Sequence, residues 1–151
     1  MLVYLEGVHD VVFDHMLLHD AYGGFHSSPQ PSSQRVTVKR SRILDLRGGD
    51  ASHAINVPRG DTGWLVTDTE IAHVPDSCLI DLGTGSRYVR MTVHDCGFGT
   101  SAQGAHGLYL RGPDLTVRDS HVWNARTSCV SVRFQGDRVL RNRLHGCPFG
   151  V

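Results

Sequence analysis

The chain has 151 residues, 40% of them hydrophobic and 7% aromatic, with fifteen basic and fifteen acidic side chains and a formal charge of zero. That balance excludes a general electrostatic attraction to nucleic acid or to an anionic membrane, and no apolar run reaches the length of a membrane span. The length suits one domain, and the composition suits a thin core of Val, Leu and Ile.

Six stretches superpose when one apolar residue of each is used as anchor: Leu18, Ile43, Ile71, Val93, Val122 and Leu144. The anchors lie 25, 28, 22, 29 and 22 residues apart, so a short unit recurs with insertions. Within a unit, apolar residues alternate over three pieces too short for a helix, which predicts three strands per coil. Coil one, Val3 to about Gly24, points Val3, Leu5, Val11, Phe13 and Leu18 inward. In coil two the prolines of Ser27-Ser28-Pro29-Gln30-Pro31-Ser32-Ser33 predict a loop in place of the first strand, before Val36, Val38 and Ile43 resume the pattern.

Coil three uses Ile55, Val57, Trp64, Val66 and Ile71, and coil four Ile80, Leu82, Tyr88 and Val93. Coil five follows with Leu108, Leu110, Leu115, Val117 and Val122, and coil six with Val130, Val132, Val139 and Leu144. Met16, Ser41, Thr69, Met91, Ser120 and Asn142 mark the corner before each third strand. Inserts around Gly48-Gly49-Asp50 and from Phe98 to Ala105 follow third strands, placing both loops on one edge of the rod, where solenoids commonly build binding surfaces.

This three-strand grammar resembles the right-handed parallel β-helix of the pectate-lyase-like superfamily, whose corners often carry Asn, Ser or Thr. Met16 and Met91 depart from that pattern. The expected fold is all-β, a solenoid of about six coils on the order of 29 Å long. Without an amphipathic cap at either terminus, residues 1–151 read as one segment of a longer β-helix domain with flanking coils. The resemblance implies an extracellular or periplasmic setting for such a segment.

Alternation sends Asn56, Asp81, Tyr109 and Ser131 outward as one column of the first strands, with Arg111 beside Arg133 in the next. In the superfamily the sugar groove often follows this sheet, so the resemblance implies lyase- or epimerase-like action on an acidic polysaccharide. Arg111 and Arg133 would clamp carboxylates, Asn56, Ser131 and Trp123 would bind substrate, and Tyr109, His106 and Asp81 would move protons. No cofactor is required on this reading, and Ca2+ is an option at Asp81. The alternative is a noncatalytic glycan-binding or structural solenoid whose column is plain surface. Glycoside hydrolysis is disfavoured, because Glu6 lies about 14 Å from Asp81 along the stack.

Two further patterns involve His and Cys. His53, Cys78, His106 and Cys129 are expected to climb through coils three to six as one column, too widely spaced to converge on a metal. Cys78 and Cys129, like Cys96 and Cys147, lie two coils apart, about 9.6 Å, so all four are expected to be free thiols. After the third strand, His19-Asp20, His73, His94-Asp95 and His145 form a row with Trp123 that would offer a stacking platform and a base oriented by its Asp. Lys39, the sole lysine, sits on the second strands and reads as solvated.

Overall fold

The structure is a computed structural model and describes residues 1–49, 51–99 and 104–151. It is an all-β parallel solenoid of about six coils, each with three short strands, and among the described residues no helix is long and apolar enough to cross a membrane. The first sheet stacks β1 (Val3–Leu5), β4 (Phe25–Ser27), β7 (Ile55–Val57), β10 (Leu79–Asp81), β13 (His106–Leu110) and β16 (Ser128–Val132). The second stacks β2 (Val12–Asp14), β5 (Thr37–Lys39), β8 (Leu65–Thr67), β11 (Arg87–Val89), β14 (Thr116–Arg118) and β17 (Arg138–Leu140). The third stacks β3 (Leu17–His19), β6 (Arg42–Leu44), β9 (Glu70–Val74), β12 (Thr92–Cys96), β15 (His121–Ala125) and β18 (Arg143–His145).

The six anchors pile in register on the third sheet, Leu18 on Ile43, Ile71, Val93, Val122 and Leu144. Opposite them, Phe13, Val38, Val66, Tyr88, Val117 and Val139 form the inward row of the second sheet. These rows close a thin aliphatic core in which Ile43, Ile71, Val93 and Val122 are fully buried. Parallel strands buried on their inner face need such branched residues, whose stiff side chains pack from one coil to the next.

Corner chemistry explains how three strands fit into so short a turn. His15, Arg40, Asp68, Arg90, Asp119 and Arg141, one per coil, all adopt left-handed φ between 48° and 56° at the turn from second to third strand. The corner residues next to them form a ladder: Met16 and Ser41 donate their backbone N–H to Ser41 Oγ (3.1 Å) and Thr69 Oγ1 (3.4 Å), and Met91 and Ser120 donate theirs to Ser120 Oγ (3.0 Å) and Asn142 Oδ1 (2.9 Å). Polar side chains thus satisfy backbone donors that the bend removes from the sheet.

Four expectations require correction. Coil two keeps its first strand, because Phe25–Ser27 pairs with Val3–Leu5 before the prolines begin. In coil four the inward residues are Leu79 and Asp81 rather than Ile80 and Leu82, since Leu79 registers with Ile55 and Leu108. That one-residue shift flips the strand's faces, so Ile80, not Asp81, joins Asn56, Tyr109 and Ser131 in the outward column.

The same register breaks up the expected His and Cys column. His106 pairs with Ser128, and its backbone N–H bonds Ser77 Oγ at 3.0 Å, which leaves Cys78 and Cys129 one position further along their strands. The cysteines are not free. Cys78 bonds Cys96 and Cys129 bonds Cys147, with Cα separations of 5.4 and 5.6 Å. Each coil returns to its own starting edge, so the start of its first strand meets the end of its third. The pairing runs around the coil, not along the stack.

Candidate functional site

On the outer face of the first sheet, Tyr109 is half-buried and lies beside two exposed guanidinium groups. The Arg111 and Arg133 carbons Cζ stand 5.3 and 5.7 Å from its ring centre, within cation–π range. Leu110, just before Arg111, registers with Val132, just before Arg133, which puts the two cations side by side in adjacent coils. His106, itself buried, packs against the same ring from the strand's start, 4.6 Å between ring centres. Burial, and then the charge of Arg133, push the His106 imidazole below its ordinary pKa, and its Nδ1 is buried without a hydrogen-bond partner. A neutral imidazole, a phenol and two cations therefore share one spot.

Ser131 registers beside Tyr109 but is buried. Asn56 sits in the same column with Ile80 between, and its Nδ2 lies 3.2 Å from His26 Nδ1. The structure thus gathers Tyr109, His106, Arg111, Arg133 and Ser131 and leaves Asn56 two coils away.

Asp81 belongs to the core. Its side chain has 0% exposure, accepts a hydrogen bond of 2.5 Å from the Tyr88 hydroxyl and another of 2.6 Å from the Gly83 N–H. Burial pushes its carboxyl above the ordinary value despite these donors. Burial and the neighbouring carboxylate push Tyr88 up as well. A group enclosed in this way can reach neither a glycan nor a solvent-borne Ca2+, which corrects its expected role in proton transfer.

Trp123 projects from the third sheet, in register with His94 and His145 as the row predicts, whereas His73 falls one position further on because Ala72 is the residue that registers with His94. Both of its faces are taken: His94 stacks at 4.2 Å with 7° between planes, and His145 is parallel at 5.9 Å. The indole therefore offers an edge rather than a platform for a sugar ring. The adjoining carboxylates are engaged too. His94 Nδ1 lies 2.7 Å from Asp95 Oδ2, and His73 bridges Asp45 (3.1 Å) and Asp95 (3.4 Å). Burial would raise Asp95, but hydrogen bonds from His94 and Asn124 prevail and hold it below its ordinary value.

The loops after the third strands border a cleft of about 740 Å³ whose walls include Asp45, Arg47, His73 and the exposed ring of Phe98. Their remaining residues, Asp50 and 100–103, lie outside the described residues. Among the described residues no group of three or more His, Cys, Asp or Glu side chains could hold a metal ion.

The zero net charge conceals an uneven distribution. Residues 1–86 carry eleven acidic and six basic side chains, whereas residues 87–151 carry four acidic and nine basic. Because coils stack in chain order, this asymmetry becomes spatial. One half of the rod is negative and the half holding Arg111 and Arg133 is positive. Comparison with protein-family models, with curated proteins and with solved structures found no match to the chain.

Proposed function

We propose that the solenoid binds an acidic polysaccharide along the first sheet of coils five and six, as a relative in architecture of the pectate-lyase-like proteins. The observation that carries this reading is the pair of exposed guanidinium groups flanking Tyr109, 5.3 and 5.7 Å from its ring. Guanidinium forks match carboxylate or sulfate oxygens, and the Tyr109 ring beneath them holds the two cations in place. Adjacent parallel strands are about 4.8 Å apart, close to the length of one pyranose unit, so a chain lying along the stack can present successive acidic groups to successive coils. The net positive charge of residues 87–151 adds long-range attraction. Two closed disulfides suit an oxidising compartment, where such polymers are met.

Lyase or epimerase chemistry is the second reading, and His106 favours it. A neutral imidazole 4.6 Å from Tyr109 and next to Arg133 has the character of a base beside a carboxylate clamp.

Electrophoresis through gels containing polygalacturonate, alginate or heparin tests the binding. Retardation is expected with at least one polymer, weakened by salt, and lost in the Arg111→Ala/Arg133→Ala variant. Equal retardation of the variant overturns the assignment. A rise in absorbance at about 235 nm, from the unsaturated uronate that β-elimination leaves, distinguishes cleavage from binding alone.

A further inference from the structure

On the third sheet, independently of the glycan reading, two imidazoles meet tip to tip. His121 of β15 leans along the strand toward His145 of β18, and their Nε2 atoms lie 2.8 Å apart, with 5.0 Å between ring centres. Direct register pairs His121 with Arg143 and Trp123 with His145, so the two His rings form a diagonal cross-strand pair. His145 is exposed and His121 half-buried.

At neutral charge, one Nε2–H donates to the other Nε2 lone pair. Bonds of about 2.0 to 2.1 Å meeting at a right angle put two nitrogens about 2.9 Å apart, whereas a tetrahedral angle needs about 3.3 Å. The hydrogen-bonded separation of 2.8 Å is nearer the first case, which the pair reaches with the smaller movement. Tetragonal geometry with imidazole ligands is the preference of copper(II) and nickel(II), and copper binds more tightly in the divalent series.

We propose that His121 and His145 form a surface site for a tetragonal divalent transition-metal ion, copper(II) foremost, held through both Nε2 atoms. On binding, the donor ring moves its Nε2 proton to Nδ1 and the rings hinge so that both lone pairs face the ion. The other equatorial positions go to water or to an oxygen ligand from solution. Arg143, in direct register with His121, is exposed and its charge therefore screened.

Trp123 is a built-in reporter. Its ring lies 4.3 Å from His121, whereas the other indole, Trp64, is fully buried in the core. Titration of the protein with copper(II) chloride is expected to quench about half of the indole emission, saturating at one ion per chain. Zinc(II) is expected to compete poorly. His121→Ala and His145→Ala should each abolish the saturable quenching, while His19→Ala, at an exposed His bonded to Asp20, should retain it. The electron paramagnetic resonance spectrum of the copper-loaded protein should be axial, with coupling to two nitrogens. Quenching that survives in either pair variant, zinc binding as tightly as copper, or an absence of nitrogen coupling would each overturn the site.

Discussion

Asp81 shows how much one side chain decides. A carboxyl in the core of a thin solenoid is costly unless its oxygens find donors, and here the Tyr88 hydroxyl and the Gly83 N–H supply them at 2.5 and 2.6 Å. Replacing Tyr88 with Phe keeps the ring and removes one donor. The expected loss is about 1 to 3 kcal/mol in urea denaturation, with glycan retention unchanged because the pair faces inward. The same residue marks the limit of reading this strand in isolation. Leu79, Ile80 and Leu82 are all apolar, so alternation alone allows either face to be buried. The choice rests on Tyr88, seven residues away on another sheet, and on the fit of Leu79 between Ile55 and Leu108.

At the level of the strand and its corner, the left-handed positions between second and third strands are held by charge as well as by hydrogen bonds. Non-glycine residues disfavour this conformation, yet the six positions hold Arg, Asp and His. Four of them pair as cation and anion across adjacent coils. Arg90 grips Asp68 at 2.6 and 2.7 Å, and Arg141 grips Asp119 at 2.7 and 2.9 Å. Hydrogen bonds from Arg90 and then from the Thr67 hydroxyl hold Asp68 down to about 2, against an ordinary value of 3.8. Because the folded value is depressed, this contribution is present above about pH 4 and disappears as the pH falls through about 2. Urea midpoints near pH 6 and pH 2.5 should therefore converge more in Asp68→Asn than in the parent chain. An equal drop in both would show that the ladder carries no pH-dependent stability.

Across the whole molecule, the anchor row was readable because each coil offers one branched or leucine residue at the same phase, with a polar residue on at least one side. Ile71, Val93 and Val122 stack as the repeat implies. The disulfides were not readable from columns, because the partners are Cys78 with Cys96 and Cys129 with Cys147, each 18 residues apart within one coil. The position of Trp123 in its row follows from the repeat, but which rings cover it depends on side-chain tilt. The Arg pair beside Tyr109 was legible from spacing alone, since both arginines follow an inward apolar residue. Chain-entropy arguments give each 18-residue closure about 3 kcal/mol. The Cys78→Ala/Cys96→Ala variant should lose about that much in urea denaturation, and a loss near zero would mean that the coil is held by its ladders alone.

The two covalent girdles also set how the polymer responds to tension. Drawn out from opposite ends, it would unwind coil by coil, yet residues between each bonded pair would stay looped and bear no load. At about 3.4 Å per extended residue, the two hidden stretches shorten the fully drawn thread by roughly 110 Å, a length that a reducing agent would restore.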